Sequence, residues 1–284
     1  MSFSAGCAWD AEGVVGCWPL NGDKWGGYGG FVAPEGTYDK VAITGVMAFG
    51  RDLETQELRA WAPDALIGQE NIVAMESPPG PVADFDAHSG VSVRVLGSDG
   101  WLGDWRATEK LHADVTEEFL GWQGERFQVG AVSSLTCENE CAFIDEGGTV
   151  VCDDSGYEPE DRGRCDLLDH PPYVQASEGE QEVCAVRDGG QIDCSNRSED
   201  GWTVARPPTG KFQMVSMGDR WGCGLREDGH VQCWGSYVDG ALWPHPLETF
   251  SMISLDSDWG CGITTLGDLL CWGRHGGPDH DPRP

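Results

Sequence analysis

Residues 223–235 read Cys-Gly-Leu-Arg-Glu-Asp-Gly-His-Val-Gln-Cys-Trp-Gly, and residues 261–273 read Cys-Gly-Ile-Thr-Thr-Leu-Gly-Asp-Leu-Leu-Cys-Trp-Gly. Both stretches place cysteines at positions one and eleven, glycine at position seven, and Trp-Gly directly after the second cysteine. Further copies with both cysteines begin at Cys7, Cys141 and Cys184, and the copy at Cys141 is one residue longer. The chain is therefore built from a short repeated motif.

Two degenerate copies without cysteine complete the series, one from Arg94 to Asp104 and one roughly from Met47 to Ala60. The last position of the motif then falls at residues 17, 60, 104, 152, 194, 233 and 271, in steps of 43, 44, 48, 42, 39 and 38 residues. Seven copies at about forty residues match the period of a β-propeller blade. The sequence predicts an all-β, seven-bladed β-propeller as a single domain over residues 1–273, with a flexible tail over 274–284.

The repeated motif has the pattern of a β-hairpin. A three-residue loop at positions five to seven, with glycine in the left-handed conformation at position seven, makes a type I turn followed by a G1 bulge. That register pairs position four with eight and position one with eleven. Because hydrogen-bonded and non-hydrogen-bonded pairs alternate, the pair of positions one and eleven is non-hydrogen-bonded, and its closer side chains suit a disulfide.

The twelve cysteines are even in number and mostly spaced as hairpin pairs. We predict five hairpin bridges and a sixth between the two remaining cysteines: Cys7–Cys17, Cys141–Cys152, Cys184–Cys194, Cys223–Cys233, Cys261–Cys271 and Cys137–Cys165. In one degenerate copy a charge pair, Arg94 facing Asp104, replaces the covalent one. Zinc is disfavoured, because only Cys137 and Cys141 approach the usual ligand spacing and no matching second pair exists.

Two positions of the motif predict how the sheets pack. Position two is small in most copies, which lets adjacent sheets approach closely: Ala8, Ala48, Ala142, Ala185, Gly224 and Gly262. Tryptophan follows position eleven in five copies and is expected to be a wedge between blades: Trp18, Trp61, Trp105, Trp234 and Trp272. Roughly a dozen residues upstream of the first cysteine, short apolar segments begin at Phe127, Tyr173, Phe212 and Phe250, and they predict the inner strand of each blade.

The charge balance excludes several classes of function. The 284 residues carry 18 Lys and Arg against 48 Asp and Glu, a formal net charge of −30. Such a chain cannot gather nucleic-acid phosphates by counterion release over a broad surface. It has no apolar stretch of 18 residues, so we expect no membrane insertion. Paired cysteines indicate an oxidising compartment, and we expect an extracellular, periplasmic or cell-surface protein whose export signal has been removed.

Residues 215–235 and 254–273 resemble the repeats of the regulator of chromosome condensation family, whose consensus runs roughly V-S-x-G-x-x-H-T-C-A-L-x-x-D-G-x-V-x-C-W-G. The resemblance spans the whole chain, strongly after residue 130 and weakly between residues 38 and 110. It implies a seven-bladed propeller, and the cysteine-paired variant looks like the exported bacterial branch of the family. Where the family has histidine before Thr-Cys, this chain has Trp221 in one copy and Trp259 in another.

Motifs that mark common enzyme classes are missing from the sequence. It contains no G-x-S-x-G, no H-E-x-x-H and no P-loop. We therefore expect a non-enzymatic protein with no cofactor and no metal. The acidic stretch 153–161 suits calcium or a basic partner, but a solvated loop is the simpler interpretation, because runs of like charge repel and hydrate.

One edge of the predicted propeller gathers aromatic and acidic residues. The segment before each hairpin and the loop after it share this edge, and the candidate binding residues on it are Trp25, Tyr28, Asp219, Trp221, Tyr237, Trp243, Asp258 and Trp259. Trp and Tyr beside acidic groups are typical of protein-binding hot spots and of sugar stacking. For Trp221 and Trp259 the alternative is that the rings only fill the upper channel, because Trp is highly buried on average.

The sequence favours a monomeric protein-interaction propeller that binds another protein through this loop-rich face. The alternative is a carbohydrate-binding propeller that uses the exposed Trp and Tyr side chains. A secreted enzyme inhibitor, suggested by the family resemblance alone, and an enzyme are the remaining interpretations.

Overall fold

The computed structural model describes residues 5–9, 12–19, 36–43, 48–61, 81–89, 92–106, 121–122, 127–128, 132–137, 141–153, 165, 168–179, 182–195, 206–235, 247–256 and 259–273. These residues form β-strands joined by turns, and they include no helix. A helix long and apolar enough to cross a membrane is accordingly not found in this part of the chain. The predicted all-β class is confirmed. The chain divides into two compact units, Met1–Ala131 and Val132–Pro284.

The first unit contains three antiparallel sheets within its described residues. Its strands are β1 (Ala5–Trp9), β2 (Val15–Pro19), β3 (Tyr38–Ile43), β4 (Ala48–Asp52), β5 (Leu58–Trp61), β6 (Val82–Ser89), β7 (Ser92–Gly97), β8 (Trp101–Arg106), β9 (Gly121–Trp122) and β10 (Phe127–Gln128). β1 pairs with β2, β3-β4-β5 form a second sheet, and the third has the order β10-β8-β7-β6 with β9 also paired to β8.

In its described residues the second unit contains four three-stranded antiparallel sheets in which consecutive strands are neighbours. They are β11-β12-β13, β14-β15-β16, β17-β18-β19 and β20-β21-β22. The strand bounds are β11 (Val132–Cys137), β12 (Cys141–Asp145), β13 (Val150–Asp153), β14 (Tyr173–Glu178), β15 (Val183–Arg187), β16 (Ile192–Cys194), β17 (Phe212–Met217), β18 (Trp221–Arg226), β19 (Val231–Gly235), β20 (Phe250–Asp256), β21 (Trp259–Thr264) and β22 (Leu269–Gly273). The closure of these sheets as seven blades, and the single domain over residues 1–273, stay predictions.

The hairpin register predicted from the turn glycines is confirmed. In β18-β19 the Arg226 amide donates to the His230 carbonyl at 2.9 Å, and the Gly229 amide donates back to the Arg226 carbonyl at 3.0 Å. Gly229 has φ of 84°, the left-handed conformation that the bulge requires. The cysteines at positions one and eleven then lie directly opposite each other and are bonded, with Cα atoms 4.0 Å apart, in Cys184–Cys194, Cys223–Cys233 and Cys261–Cys271.

The same register holds in the first unit. Cys7 lies opposite Cys17 on β1 and β2, although the side chains of this pair lie outside the described residues. In the degenerate hairpin β7-β8, Arg94 lies opposite Asp104, as the sequence predicts. The register therefore persists in this hairpin, although it has no cysteines.

The sheet β11-β12-β13 departs from the predicted disulfide pairing. Cys137 is bonded to Cys141, and Cys152 is bonded to Cys165. The predicted bridges Cys141–Cys152 and Cys137–Cys165 are therefore wrong.

The cause is the extra residue in this hairpin. It shifts β13 so that Cys152 lies opposite Ala142 and not opposite Cys141. Because side chains alternate between the two faces of a strand, Cys152 and Cys141 point to opposite faces of the sheet. Cys141 instead lies directly opposite Cys137 on β11, with Cα atoms 4.2 Å apart. Cys152 packs against the core cluster that contains Cys165.

The revised pairing predicts the position of the thiol released by Cys165→Ser. The free thiol should be at Cys152, and loss of the bridge should lower the free energy of unfolding by about 3 kcal/mol, the usual effect of opening a loop of this length. Alkylation in denaturant at acid pH, followed by peptide mapping without reduction, locates the thiol. Cys194→Ser, which should release Cys184, is the control. A label on Cys137 would contradict the pairing.

The small residues at position two pack in the core, as predicted. Ala48, Ala142 and Ala185 are each 0% exposed. At Gly224 an added Cβ would lie 2.5 Å from Cδ1 of Phe212 and 2.9 Å from Cδ1 of Ile192, which belongs to the preceding sheet. The space between these two sheets is therefore closed to a larger residue.

The predicted tryptophan wedges are confirmed at the two positions whose side chains are described. Trp234 is 6% exposed and packs in one cluster with Cys184 and Val186 of the preceding sheet. Trp272 is 5% exposed and packs with Trp221 and Cys223 of its preceding sheet. Each ring fills the layer between neighbouring sheets.

Candidate functional site

The candidate site lies at the end of the second unit's sheets opposite to the hairpin turns. We call this end the open edge, and its described residues are Gly179, Glu182, Ser195, Gly218, Asp219, Arg220, Trp221 and Gly235. Here the turn that joins β14 to β15 packs against the turn that joins β17 to β18. An added Cβ at Gly179 would lie 2.4 Å from the Gly218 carbonyl oxygen, so the two turns touch through their backbones.

Side-chain hydrogen bonds join neighbouring sheets near the open edge. Ser177 Oγ accepts a hydrogen bond from the Met217 amide at 3.0 Å, and Ser216 Oγ accepts one from the Leu255 amide at 2.9 Å. The side chain of Gln175 adds two hydrogen bonds to the backbone of Val215, at 2.8 and 3.0 Å. The inner strands β14, β17 and β20 are thus joined by side chains, which gives the open edge a fixed base.

The structure places two of the predicted site residues close together where β18 begins. Asp219 is partly exposed in the turn before β18, and Trp221 is the first residue of β18, opposite Gly235. Trp221 is 0% exposed and packs among Cys223, Phe250 and other core residues, which agrees with the packing alternative for this ring. In this structure Asp219 is partly exposed, whereas Trp221 is buried.

The other predicted site residues are placed less fully. The backbone of Trp259 begins β21 opposite Gly273, while its side chain lies outside the described residues. The remaining candidates also lie outside the described residues: Trp25, Tyr28, Tyr237, Trp243 and Asp258. Their place on the binding face stays a prediction.

A buried acid at the open edge was not singled out from the sequence. Glu182 stands two residues before Cys184, the repeat position that Trp221 and Trp259 occupy before their cysteines. It is 6% exposed, and its Oε2 has no hydrogen-bond partner among the described residues. Burial raises the pKa of the Glu182 carboxyl from 4.5 to about 8. Alignment of the repeats shows an acid at this position in place of tryptophan, but it does not show that the acid is buried.

Glu182 lies beside a disulfide and not in a metal site. One of its carboxylate oxygens and the Sγ atoms of Cys184 and Cys194 all lie within 4.8 Å of one another. The two sulfurs are bonded to each other, so they have no thiolate to offer a metal ion. In the described residues this group is therefore a carboxyl packed on a disulfide.

A polar groove of about 540 Å³ lies at the hairpin-turn end of the same sheet, lined in part by His170, Arg187 and Gln191. The charged group of Arg187 is paired with Asp193, which also accepts a hydrogen bond from the Tyr173 hydroxyl at 3.0 Å. Burial is the main cause that raises the pKa of Tyr173 to about 12. This network ties the start of β14 to the β15-β16 hairpin, and we interpret it as structural.

Solved structures with similar folds include plant receptor ectodomains and a yeast propeller. The CRINKLY WD40 ectodomain of the Arabidopsis thaliana receptor kinase ACR4 has a TM-score of 0.69 at 15% identity, covering 95% of this chain and 90% of that one. The ectodomain of the Physcomitrella patens receptor kinase CR4 has a TM-score of 0.67 at 17% identity, covering 96% and 70%. Prp20p of Saccharomyces cerevisiae has a TM-score of 0.56 at 15% identity, covering 82% and 71%.

Prp20 is the yeast RCC1 protein, so these similarities define the class of fold. The chain has an RCC1-like repeat fold, as the sequence motifs predict. No family model and no curated protein matches the sequence. At these identities the similarity shows the fold, and the function has to be argued from the residues.

Proposed function

We propose that this chain is a non-enzymatic protein-interaction propeller, exported or surface-exposed, that binds a partner protein through the open edge. The proposal rests on the disulfides and hydrogen bonds that hold the strands beneath that edge in place. Three consecutive hairpins carry disulfides at their open ends, and hydroxyl hydrogen bonds join the neighbouring sheets just beneath. Loops that leave a rigid base lose less conformational entropy on binding, which favours affinity.

The disulfides support an extracellular, periplasmic or cell-surface location. Five bridges are described, and such bridges persist in oxidising compartments. The fold neighbours that are named as receptor ectodomains are consistent with this location.

The acidic charge indicates the chemistry of the partner. A net charge of −30 favours a basic protein surface and disfavours nucleic acid. Asp219 is a partly exposed acidic residue at the open edge. The solved structures of Prp20 include a complex with Kap60 and a study of its binding to Gsp1p and histones, and we propose an analogous use of the fold here, by a monomer.

A carbohydrate-binding propeller is the second candidate, and the aromatic content of the predicted loops favours it. Because Trp221 is buried, sugar stacking would have to use Trp25, Trp243 or Trp259. A glycan array read with intrinsic Trp fluorescence tests this alternative. Quenching by sugars with no protein partner would replace the first proposal by the second. Enzyme inhibition and catalysis are the less favoured alternatives.

The proposal is tested by capturing partners from the surface fraction of the source cells and titrating the purified partner against variants. Asp219→Asn and a Tyr237→Ala/Trp243→Ala double variant should weaken binding at least tenfold, about 1.4 kcal/mol, because interface acids and aromatics dominate affinity. Asp228→Asn, at the turn end of the Asp219 hairpin, is the matched control and should bind as the parent does. Equal affinity of all variants would contradict binding through the open edge.

A further inference from the structure

Three hairpin disulfides of the second unit share one register but differ in the residue that stands two positions before the first cysteine. Before Cys184 this residue is Glu182, whereas the other two hairpins have Trp221 and Trp259 there. Among these three bridges, Cys184–Cys194 alone has a carboxyl group at this position. The chain thus contains two matched bridges that differ from the first in this respect.

The carboxyl group of Glu182 is held against its bridge. An oxygen of the group lies within 4.8 Å of both sulfurs, and its Oε2 is buried without a hydrogen-bond partner in the described part of the chain. Cys184 is 0% exposed, whereas Cys194 is partly exposed. Because Cys194 is the partly exposed residue of the bridge, we expect a reagent from solution to attack its sulfur, so that the sulfur of Cys184 is the leaving group.

We propose that Cys184–Cys194 is a thiol–disulfide exchange site in which Glu182 donates a proton to the departing sulfur of Cys184. The reductant is a dithiol, and its thiolate attacks Sγ of Cys194. The Cys184–Cys194 bond breaks, a mixed disulfide forms on Cys194, and the electron pair passes to Sγ of Cys184, which takes the proton of Glu182.

A second displacement completes the reaction. The other thiol of the reductant loses its proton to the Glu182 carboxylate and attacks the reductant's own sulfur in the mixed disulfide. Cys194 leaves as a thiolate and takes a proton from water, and Glu182 is again protonated. The dithiol is oxidised to a cyclic disulfide, and the protein bridge is reduced by two electrons to two thiols.

The need for a proton donor follows from burial. A thiolate formed on Cys184 would be an isolated negative charge in an apolar layer, which is costly. Exchange is faster when the leaving sulfur is stabilised, and a positioned acid does this by protonating it. The carboxyl is suited to the task because burial lets it keep its proton near neutral pH. Opening the bridge would release β16, a strand of three residues, from its covalent link to β15.

Other ionisable groups lie at the same end of these sheets as Glu182. They are Glu178 at the end of β14, and Asp219 and Arg220 on the turn before β18. Glu182→Gln keeps all three, so a pH response that this variant lacks belongs to Glu182. The variant also keeps the size and shape of the side chain.

The test measures the reduction rate of each bridge in the folded chain by dithiothreitol, with acid quenching, alkylation and peptide mapping. At pH 7, Glu182→Gln should slow reduction of Cys184–Cys194 at least tenfold and leave Cys223–Cys233 and Cys261–Cys271 within twofold of the parent. Between pH 7 and 9, the parent rate divided by the dithiothreitol thiolate concentration should fall as Glu182 loses its proton, and the variant rate should stay level.

The pH profile separates proton donation from simple loosening of the layer. If ionised Glu182 only loosened the packing, the normalised rate of the parent would rise with pH, and that result would overturn the proposal. An unchanged rate in Glu182→Gln, or equal slowing of all three bridges, would also overturn it. None of these outcomes depends on the proposed partner, so the two proposals fail separately.

Discussion

Gly224→Val is expected to lower the free energy of unfolding by more than about 3 kcal/mol. A Cβ at residue 224 would lie 2.5 Å from Phe212 and 2.9 Å from Ile192, both of which are buried. Close-packed interiors do not absorb such contacts without shifts of side chain and backbone, and overpacking of a tight core costs up to about 3 kcal/mol or more. Urea unfolding followed by Trp fluorescence measures the change.

Gln213→Val is the matched control for this substitution. Gln213 is exposed on β17, beside Phe212. Gln213→Val therefore introduces valine into the sheet that contains Gly224, but at a position outside the core. The control should unfold within about 0.5 kcal/mol of the parent, the usual range at exposed positions. A Gly224→Val variant as stable as this control would show that the neighbouring sheets are not in contact at residue 224.

The free energy of unfolding of the parent should fall as the pH rises, and Glu182→Gln should abolish this fall. Burial raises the pKa of Glu182 to about 8, whereas the carboxyl in the unfolded chain keeps a pKa of 4.5. Between these two values the native state holds a proton that the unfolded state has lost, so raising the pH favours unfolding. The contribution is fully present below pH 4.5 and is lost as the pH rises to about 8.

The size of this effect is a few kcal/mol, with an upper limit of about 5, since one pKa unit corresponds to about 1.4 kcal/mol. The difference in unfolding free energy between Glu182→Gln and the parent should grow from pH 4.5 to 8 in favour of the variant. Glu227→Gln, at an exposed turn of the next hairpin, controls for the change in net charge. A constant difference between variant and parent over this range would show that Glu182 ionises as it does in the unfolded chain.

The local register could be predicted from the sequence because it depends on turn chemistry. The glycine at position seven fixes the loop, the loop fixes the pairing, and the pairing places Cys223 opposite Cys233. The same reasoning failed at Cys141, where one inserted residue moves Cys152 to the other face of the sheet. The longer spacing is visible in the sequence, and a shift of one residue turns every side chain of a strand to the opposite face of the sheet.

The buried acid could not be recognised from local pattern. Glu182 is one of 48 acidic residues, and its burial depends on tertiary packing that the linear sequence does not show. Trp221 illustrates the converse: its place at the predicted edge agrees with the structure, while its complete burial is set by the neighbouring sheet. Position within a repeat can be predicted from sequence, and exposure depends on what packs against that position.

The hydroxyl hydrogen bonds from Ser177 and Ser216 have a consequence for how the second unit comes apart. Each serine oxygen accepts a hydrogen bond from a backbone amide of the following sheet. When one sheet opens, the next sheet therefore loses a hydrogen-bond acceptor as well as the apolar side chains that pack against it. Repeat proteins held by nearest-neighbour interfaces behave as a row of coupled elements. Local opening of β17-β18-β19 should therefore propagate to β20-β21-β22, and amide exchange of the Leu255 N–H should follow that of the strand that carries Ser216.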